Sequence, residues 1–572
     1  MTQSSIVSAI ENAILNFAPY DALATDDEVI TYRQFGEYVD EFSAKLQTSA
    51  KPGEFVGIEA TRTAAAIVAM TGAMVAGCPF VFIDPRDSRS QNASKIASLD
   101  IKVVARTADR SPVPVIAAAS TLPWGATEEQ QPRLVGVEPG DDDRIAYAIH
   151  TSGSTGEPKC VLVRVDPLGQ VIQDHVRRLA VTTRSRTLQF ARLTFDGCIT
   201  EILWTLTAGA CLVVLPEQQL RPGGMLGATL EDFRITHLKT TPFALTATEP
   251  TPGMSLQHVI NGGGACRPAV VRKWSEVAAF HNAYGTTETT ICNLLTDPLT
   301  PDECADGVPL GDLVGEGALH LEPVPTGPEE TAAGRVTRGE LVITGGCVAL
   351  GYLTSTGVRR FLDGSGARIY RTGDVVEERD GRLYFLERVD RQLKVRGYRI
   401  DPGEIESAAC RCPGVVEAVV TAESHDGSAQ GSADALVCYY LGAATAREVR
   451  GHLESVLDGY KVPSVIQQID ALPYTRNGKV DRDALRASRR AEPDSDAAVP
   501  AAEQILQLAR RLTGTTDAGL EDNFFDIGGD SASTVILVTK LKELGWMDVG
   551  VRDVLRAENL RSLVLELSER SA

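Results

Sequence analysis

From Ile30 to about Val389, short apolar runs rich in β-formers alternate with longer helix-like stretches. Phe55-Val56-Gly57-Ile58, Lys102-Val103-Val104 and Cys211-Leu212-Val213-Val214 are typical of the runs. That alternation predicts α/β layers built on parallel sheets. Residues 390–487 form a smaller mixed segment that opens with Gln392-Leu393-Lys394-Val395 and ends near Leu485, which predicts a separate α+β lobe. Residues 488–500 lose all apolar periodicity; Arg489-Arg490-Ala491-Glu492-Pro493-Asp494 has the composition of a linker. Beyond residue 500 the period changes. Ile505, Leu508, Ala509 and Leu512 fall at helical spacing, as do Leu560, Leu563, Val564 and Leu567, so residues 501–572 predict a helical bundle. The expected architecture is a large α/β unit over residues 1–389, a small α+β unit over 390–487 and an all-α bundle at the end.

One apolar stretch needs separate treatment. Thr63 to Ile83 carries no charge over about the length of a spanning helix. It is rich in Ala and Gly and is interrupted by Gly77-Cys78-Pro79 before the strand-like Phe80-Val81-Phe82-Ile83. A buried helix followed by a core strand is therefore expected, with no membrane partner. A chain of 572 residues has material for three or four folding units. Its net charge of −20 provides no general attraction for nucleic acid or anionic lipid. The N-terminal segment carries Glu11, Asp21, Asp26 and Asp27 in place of a basic stretch and an apolar core, so a cytoplasmic protein is expected. The 11 cysteines are scattered with no CxxC pair and are expected to remain thiols.

Candidate chemistry begins at Thr151-Ser152-Gly153-Ser154-Thr155-Gly156-Glu157-Pro158-Lys159, which follows the strand-like Ile145 to Ile149. Glycines let backbone amides approach phosphate oxygens, hydroxyls donate further hydrogen bonds, and the lysine adds charge. The spacing is not that of a Walker A loop, because Gly153 and Gly156 are too close and Pro158 precedes the lysine. Taken alone, the stretch fits a triphosphate cradle and a flexible surface loop equally well.

Further stretches decide between them. Ile30-Thr31-Tyr32, Gly77 to Pro85, Phe195-Asp196, Asn282 to Glu288, Gly339 to Leu353, Tyr370 to Asp374, Asp390 to Glu406 and Asn477-Gly478-Lys479 occur in one order along the chain. Together with the loop they resemble the adenylate-forming superfamily, specifically the adenylation domains of nonribosomal peptide synthetases. The resemblance implies an AMP-forming ligase that joins a carboxylate to the α-phosphate of ATP. That reaction brings two anions together and expels pyrophosphate, so the site must neutralise charge and hold the reactants in line. The resemblance implies that Glu288 holds Mg²⁺, that Thr287 contacts the α-phosphate and that Tyr284 packs near the adenine. Thr151, Ser152, Gly153, Ser154, Thr155, Gly156, Lys159 and Arg388 complete the nucleotide set. Asp374, otherwise a simple turn residue, is expected to accept from the ribose hydroxyls. Lys479, otherwise an exposed hairpin lysine, is expected to enter the site and stabilise charge as the acyl-phosphate bond forms. The small lobe would then turn about Asp390, the implied hinge, to admit a thiol. Cys160, Cys347, Leu350 and Glu387 depart from the family pattern without removing a group the chemistry requires.

Asp196 resembles the aspartate that pairs with a substrate α-ammonium, the mark of amino-acid activation; helix capping is the structural alternative. By the same resemblance the pocket is lined by Gly197, Thr200, Phe243, Ile260, Gly262, Ala283, Ile291 and Cys292. Small residues leave depth and apolar ones make walls; the set resembles pockets for aromatic amino acids and implies a Phe- or Tyr-like substrate, with Trp or a large aliphatic acid as alternatives. A non-amino acid handled by an acyl- or aryl-CoA synthetase is the enzymatic alternative.

Near the end, Asp522 to Ser531 precedes an apolar helix containing Val535, Val538 and Leu541. This resembles the attachment site of a peptidyl carrier protein and implies a 4'-phosphopantetheine arm on Ser531; an ordinary N-cap serine is the alternative. Ala532 replaces the usual leucine or isoleucine. The arm's thiol would take the acyl group from the adenylate. The implied partners are an amino acid, a phosphopantetheinyl transferase, a tailoring enzyme or condensation domain acting in trans, and a small activator protein. With no condensation domain upstream and no thioesterase downstream, a free-standing didomain of specialised-metabolite biosynthesis is expected.

Overall fold

The computed structural model describes residues 6–107, 111–123, 144–151, 159–304, 307–324, 338–354, 356–388, 393–395, 398–423, 435–473, 480, 482, 484–486, 501–513, 518–525, 527–529, 531–543, 546 and 549–571. The chain divides into two compact units, one drawn chiefly from residues up to 390 and the other from residues after it.

Among the described residues, the first unit holds a nine-stranded, an eight-stranded and a four-stranded sheet. The centre of the nine-stranded sheet is parallel, running in order through Ala279–Tyr284, His258–Asn261, His237–Thr240, Arg186–Leu188, Cys211–Val213 and Asp21–Ala24. The expected parallel layering holds there but not throughout. Ile145–Thr151 pairs antiparallel with Lys159–Arg164, because so short a connection cannot make a parallel crossover.

Helices seat on these sheets through one apolar stripe. Tyr32–Gln47 is started by Thr31, whose hydroxyl accepts from the Gln34 amide while the Gln34 side chain returns the bond. It buries Phe35, Val39, Phe42 and Leu46 along one face. The Tyr32 hydroxyl donates to the Ala210 carbonyl at 2.7 Å, which pins the start of the helix to the nine-stranded sheet. The uncharged stretch from Thr63 becomes Ala64–Val75, a 12-residue helix buried from Ala64 through Met74, followed by the strand Phe80–Ile83. Surrounded by protein, it has no polar face to present. No described helix is long and apolar enough to cross a membrane.

The second unit contains two different local folds. A three-stranded sheet of Val415–Glu423, Ala435–Gly442 and Val465–Gln468 carries the helices Pro402–Cys410 and Ala446–Val456. The last segment folds as the helices Ala501–Thr513, Ser531–Glu543, Val551–Arg556 and Leu560–Ser571. Its core includes Ile505, Leu508, Ala509, Leu537, Val538, Leu541, Leu560, Leu563 and Leu567, the positions the helical period selects. Leu512 and Val564 pack at its margin.

Candidate active site

In an open parallel sheet, ligands gather beyond the carboxyl ends of the strands. Three neighbouring strands of the first unit deliver Lys239, Ile260, Gly262, Ala283 and Tyr284 to that edge. Asp196 stands just ahead of the helix Gly197–Thr207; its side chain makes no standard N-cap bond there, and its one backbone partner is the adjacent Gly197 amide. Burial pushes its carboxyl upward in pKa; the Thr287 hydroxyl and the Lys239 ammonium oppose that shift, and Glu288 adds to it. A cation between or beside these carboxylates is thus electrostatically favoured.

Asp374 lies on the strand Ile369–Arg379 and is fully buried. One oxygen accepts the Tyr284 hydroxyl at 2.5 Å, and the other pairs with the Arg388 guanidinium. Arg388 faces Asp374 across the hairpin and also donates to the Thr372 carbonyl at 3.2 Å. The structure therefore joins three of the sequence-predicted nucleotide residues in one chain of contacts. Tyr284 is held by its hydroxyl, and burial beside Asp374 keeps that hydroxyl protonated far into the alkaline range. A carboxylate oxygen has two lone pairs, so each Asp374 oxygen retains capacity for a ribose hydroxyl.

Glu288 is likewise fully buried and accepts the Tyr352 hydroxyl at 2.5 Å. Tyr352 touches the Tyr370 hydroxyl at 3.2 Å, and the Lys159 ammonium sits 5.3 Å above the Tyr352 ring. Both phenols were missed in the sequence, although each falls inside a matched stretch. A buried carboxylate close enough to raise the pKa of Asp196 suits a divalent cation, so Glu288 fits the Mg²⁺ role. Thr287 spends its hydroxyl on Asp196 here, linking the substrate and nucleotide halves of the site.

The segment after Glu288 is strained. Thr290 and Ile291 both have positive φ, 64° and 69°, although both are β-branched. Such residues cost on the order of 1–3 kcal/mol each and persist where the surroundings over-determine them. Gly285 is part of those surroundings, since a Cβ there would lie 1.9 Å from the Ile291 carbonyl oxygen.

The predicted pocket lining is mostly brought together, around a residue that the sequence did not single out. Lys239, 5 % exposed, donates to the Thr200 hydroxyl at 2.5 Å and approaches the Gly197 carbonyl at 3.4 Å. Its stem passes 3.3 Å from the place of a Gly262 Cβ, it is the register partner of Ile260, and its ammonium hydrogen-bonds to Cys292. Ile260, Ala283, Ile291 and Cys292 share the largest apolar core cluster. Phe243 lies four residues beyond Lys239, on the short helix Pro242–Ala247, whose Ala244 and Leu245 belong to the second cluster. A charged residue within the strand His237–Thr240 was the available signal for Lys239, because lysine is seldom fully buried without a task.

Two departures from the family pattern share one cluster. Cys160 and Leu350 are both buried in one apolar cluster, where cysteine acts as a small hydrophobe. Burial holds the Cys347 thiol up at about 11, so it is inert as a nucleophile. Thr151 and Lys159 face each other as the last paired residues of their hairpin. Ser152, Gly153, Ser154, Thr155 and Gly156 between them lie outside the described residues, as do Asp390 and Lys479. Ser531 is the first residue of the helix Ser531–Glu543, a position suited to a phosphodiester; its side chain lies outside the description.

Comparison with known proteins agrees with this geometry. The description "AMP-binding enzyme" matches residues 11–353, its C-terminal domain matches 404–479, and "Phosphopantetheine attachment site" matches 503–567. Novobiocin biosynthesis protein H of Streptomyces niveus is 31% identical over 95% of this chain and 93% of its own length. Bacitracin synthase 3 of Bacillus licheniformis is 30% identical over 96% of the chain, yet the chain spans only 9% of that relative. The first relatives are thus far longer, the chain spanning 14% of chondramide synthase cmdD of Chondromyces crocatus. Among solved structures, holo-PA1221, described as a nonribosomal peptide synthetase protein with adenylation and peptidyl carrier domains, superposes with a TM-score of 0.79 at 24% identity. That match covers 99% of this chain and 97% of the other, and it establishes the shared fold. The chain belongs to the AMP-binding enzyme family, in the arrangement that joins an adenylation domain and its C-terminal subdomain to a helical carrier domain.

Proposed function

We propose that the chain activates an amino acid with ATP, releasing pyrophosphate, and transfers the aminoacyl group to its own carrier domain as a thioester. The observation that carries this reading is Asp196: a buried carboxylate held beside Thr287 and Glu288 on the edge of the sheet where the predicted nucleotide and substrate residues meet. A substrate ammonium would pair directly with this carboxylate, a role that a fatty-acid or aryl-acid substrate cannot fill.

In this reading Asp374 and Arg388 fix the ribose, Tyr284 borders the adenine, and Lys159 with the loop Thr151 to Gly156 holds the phosphates. Glu288 would hold Mg²⁺, which supplies charge neutralisation of the phosphates. Lys479 enters from the small lobe and Asp390 is the hinge. Ser531 carries the phosphopantetheine arm, whose thiol is the acceptor in the second half-reaction. A phosphopantetheinyl transferase is therefore a required partner, and another protein consumes the thioester. The carrier match and Asp196 together disfavour the CoA-ligase alternative. For the side chain, the apolar lining residues favour an aromatic substrate, while the buried Lys239 among them favours another class.

ATP–pyrophosphate exchange measured against a panel of amino acids and simple carboxylic acids tests the reading. Exchange that depends on an amino acid supports it; exchange with non-amino acids alone transfers the chain to the CoA-ligase class, and no exchange with any acid refutes it.

A further inference from the structure

Lys239 is the least accounted-for charge in the first unit. It is almost fully buried, and among the described residues the oxygen partners of its ammonium are a hydroxyl and a backbone carbonyl, Thr200 and Gly197. Trp204 lies 5.9 Å below the charge. Bare burial of an ammonium without a contacting anion costs several kcal/mol. Cys292, which also hydrogen-bonds to the ammonium, and the carboxylates of Glu201 and Asp196 offset that cost before substrate binds.

Neither carboxylate is free for the task once substrate is bound. Asp196 is assigned to the substrate ammonium. Glu201 accepts the amides of Phe190 at 3.0 Å and Ala191 at 3.1 Å and the Gln189 side chain at 3.2 Å, so its oxygens are directed at that loop. Burial pushes the Glu201 carboxyl up to about 7, so near neutrality it carries only part of a charge. Once a substrate ammonium neutralises Asp196, Lys239 is left with an excess of positive charge in the pocket.

The space around the lysine is shaped by the absence of side chains. The ideal Cβ of Gly262 would lie 3.3 Å from Lys239 Cε, and that of Gly197 would lie 3.8 Å from Nζ. The lysine therefore runs between two glycines, its stem on one and its charged tip on the other. A short side chain ending in oxygen would meet Nζ.

We infer that Lys239 is a specificity-determining residue and that the amino acid activated at this site has an acidic side chain, aspartate or glutamate in kind, whose carboxylate pairs with the Lys239 ammonium. This rests on the proposal that Asp196 receives the α-ammonium. The two ends of the substrate then meet opposite charges: its ammonium meets Asp196 and its side-chain carboxylate meets Lys239. The arrangement also selects against uncharged competitors, because they would bury the Lys239 ammonium without bringing a carboxylate to it.

The test is pyrophosphate exchange by the full chain with aspartate, glutamate, asparagine, glutamine, phenylalanine, tyrosine and leucine. The highest kcat/KM is expected for aspartate or glutamate, exceeding the matching amide by at least about 10²-fold. In the nearly isosteric Lys239→Met variant, KM for the acidic substrate should rise about 10²-fold and the acid-to-amide ratio should fall to one or below, an inversion that mere loss of folded protein cannot produce. Strongest exchange with an amide, aromatic or aliphatic amino acid by the unaltered protein overturns the inference while leaving amino-acid activation intact. An unchanged acid-to-amide ratio in the variant also overturns it. No exchange with any carboxylic acid refutes the activation proposal itself, and this one with it. The panel on the unaltered chain decides even where the variant does not fold.

Discussion

The pocket of the first unit and the helical bundle at the end of the chain use charge in opposite ways. The pocket buries Asp374, Glu288, Glu201 and Lys239 and keeps two β-branched residues at positive φ. The bundle buries Ile505, Leu537, Leu541, Leu560, Leu563 and Leu567, and its candidate residue, Ser531, starts a helix. In the pocket, each chemical group is also a structural one, since a buried charge must be paired to be tolerated. In the bundle, the apolar core sets stability and the end of a helix sets function. Substitutions in the pocket should therefore disturb activity and stability together, whereas in the bundle the two should separate.

The largest separation is expected at Ser531. Ser531→Ala should abolish the mass gained on phosphopantetheinylation and all later aminoacyl loading, read by intact-mass analysis. Exchange and the melting curve should be unchanged, because alanine is a good helix former and a lost N-terminal hydroxyl costs about 1 kcal/mol at most. Loss of exchange in this variant would break the division of labour.

Asp374→Ala should do the opposite and damage both. Exchange is expected to fall about 10²- to 10³-fold, the scale for losing one preorganised contact to a reacting ligand. The Arg388 guanidinium would lose its buried carboxylate partner, which costs about 3–5 kcal/mol and is readable as a lower unfolding midpoint of the first unit. Full exchange activity, or an unaltered midpoint, would remove Asp374 from the nucleotide site or from the structural pairing respectively.

The same contrast explains how much could be read in the sequence. Period alone located the bundle core, because Ile505, Leu508 and Ala509 are buried for no reason other than being apolar at helical spacing. The ordered motifs named Glu288, Asp374 and Tyr284 but not their mutual contacts. Tyr284 and Asp374 are 90 residues apart, and nothing local predicts that one hydroxyl will cap the other's carboxylate. Lys239 was hidden for a related reason. Pocket residues come from the ends of neighbouring strands, so the register pairing of Lys239 with Ile260 and the proximity of Gly197 and Gly262 exist only after the sheet is built. Phe243, expected in the lining by resemblance, lies four residues beyond Lys239, in the helix that follows that strand. The strained Thr290-Ile291 pair was equally invisible, since β-branched residues argue against positive φ until a packed environment imposes it.

Stability can be lowered in the bundle with function left alone. Leu541 is fully buried in that core, and Leu541→Ala should cost about 2–5 kcal/mol through lost burial and the cavity left behind. Loading onto Ser531 should fall in step with the unfolded fraction, while exchange at the first unit stays constant. A fall in exchange would show that the bundle supports the pocket, and the two regions would then not be independent.

The mildest contrast is in acid. Burial holds His175 and His237 down at about 4, against an ordinary value near 6.5. Each is neutral when folded and must take up a proton more readily when unfolded. Their contribution to stability is therefore complete above about pH 6.5 and is lost as pH falls toward 4. At pH 5.5 the loss is about 1.4 kcal/mol per histidine and grows by about 1.4 kcal/mol for each further pH unit until the folded value is reached. Residues 501–572 contain no histidine, so the bundle lacks this term. Urea midpoints of the two transitions, followed from pH 7.5 to 5.5, should diverge as the first unit weakens. His258, also held down at about 4, and His281, lowered by burial, share the trend, so His237→Gln should flatten it by only about a quarter. Parallel midpoints in the unaltered chain would mean that the buried imidazoles do not distinguish the two regions.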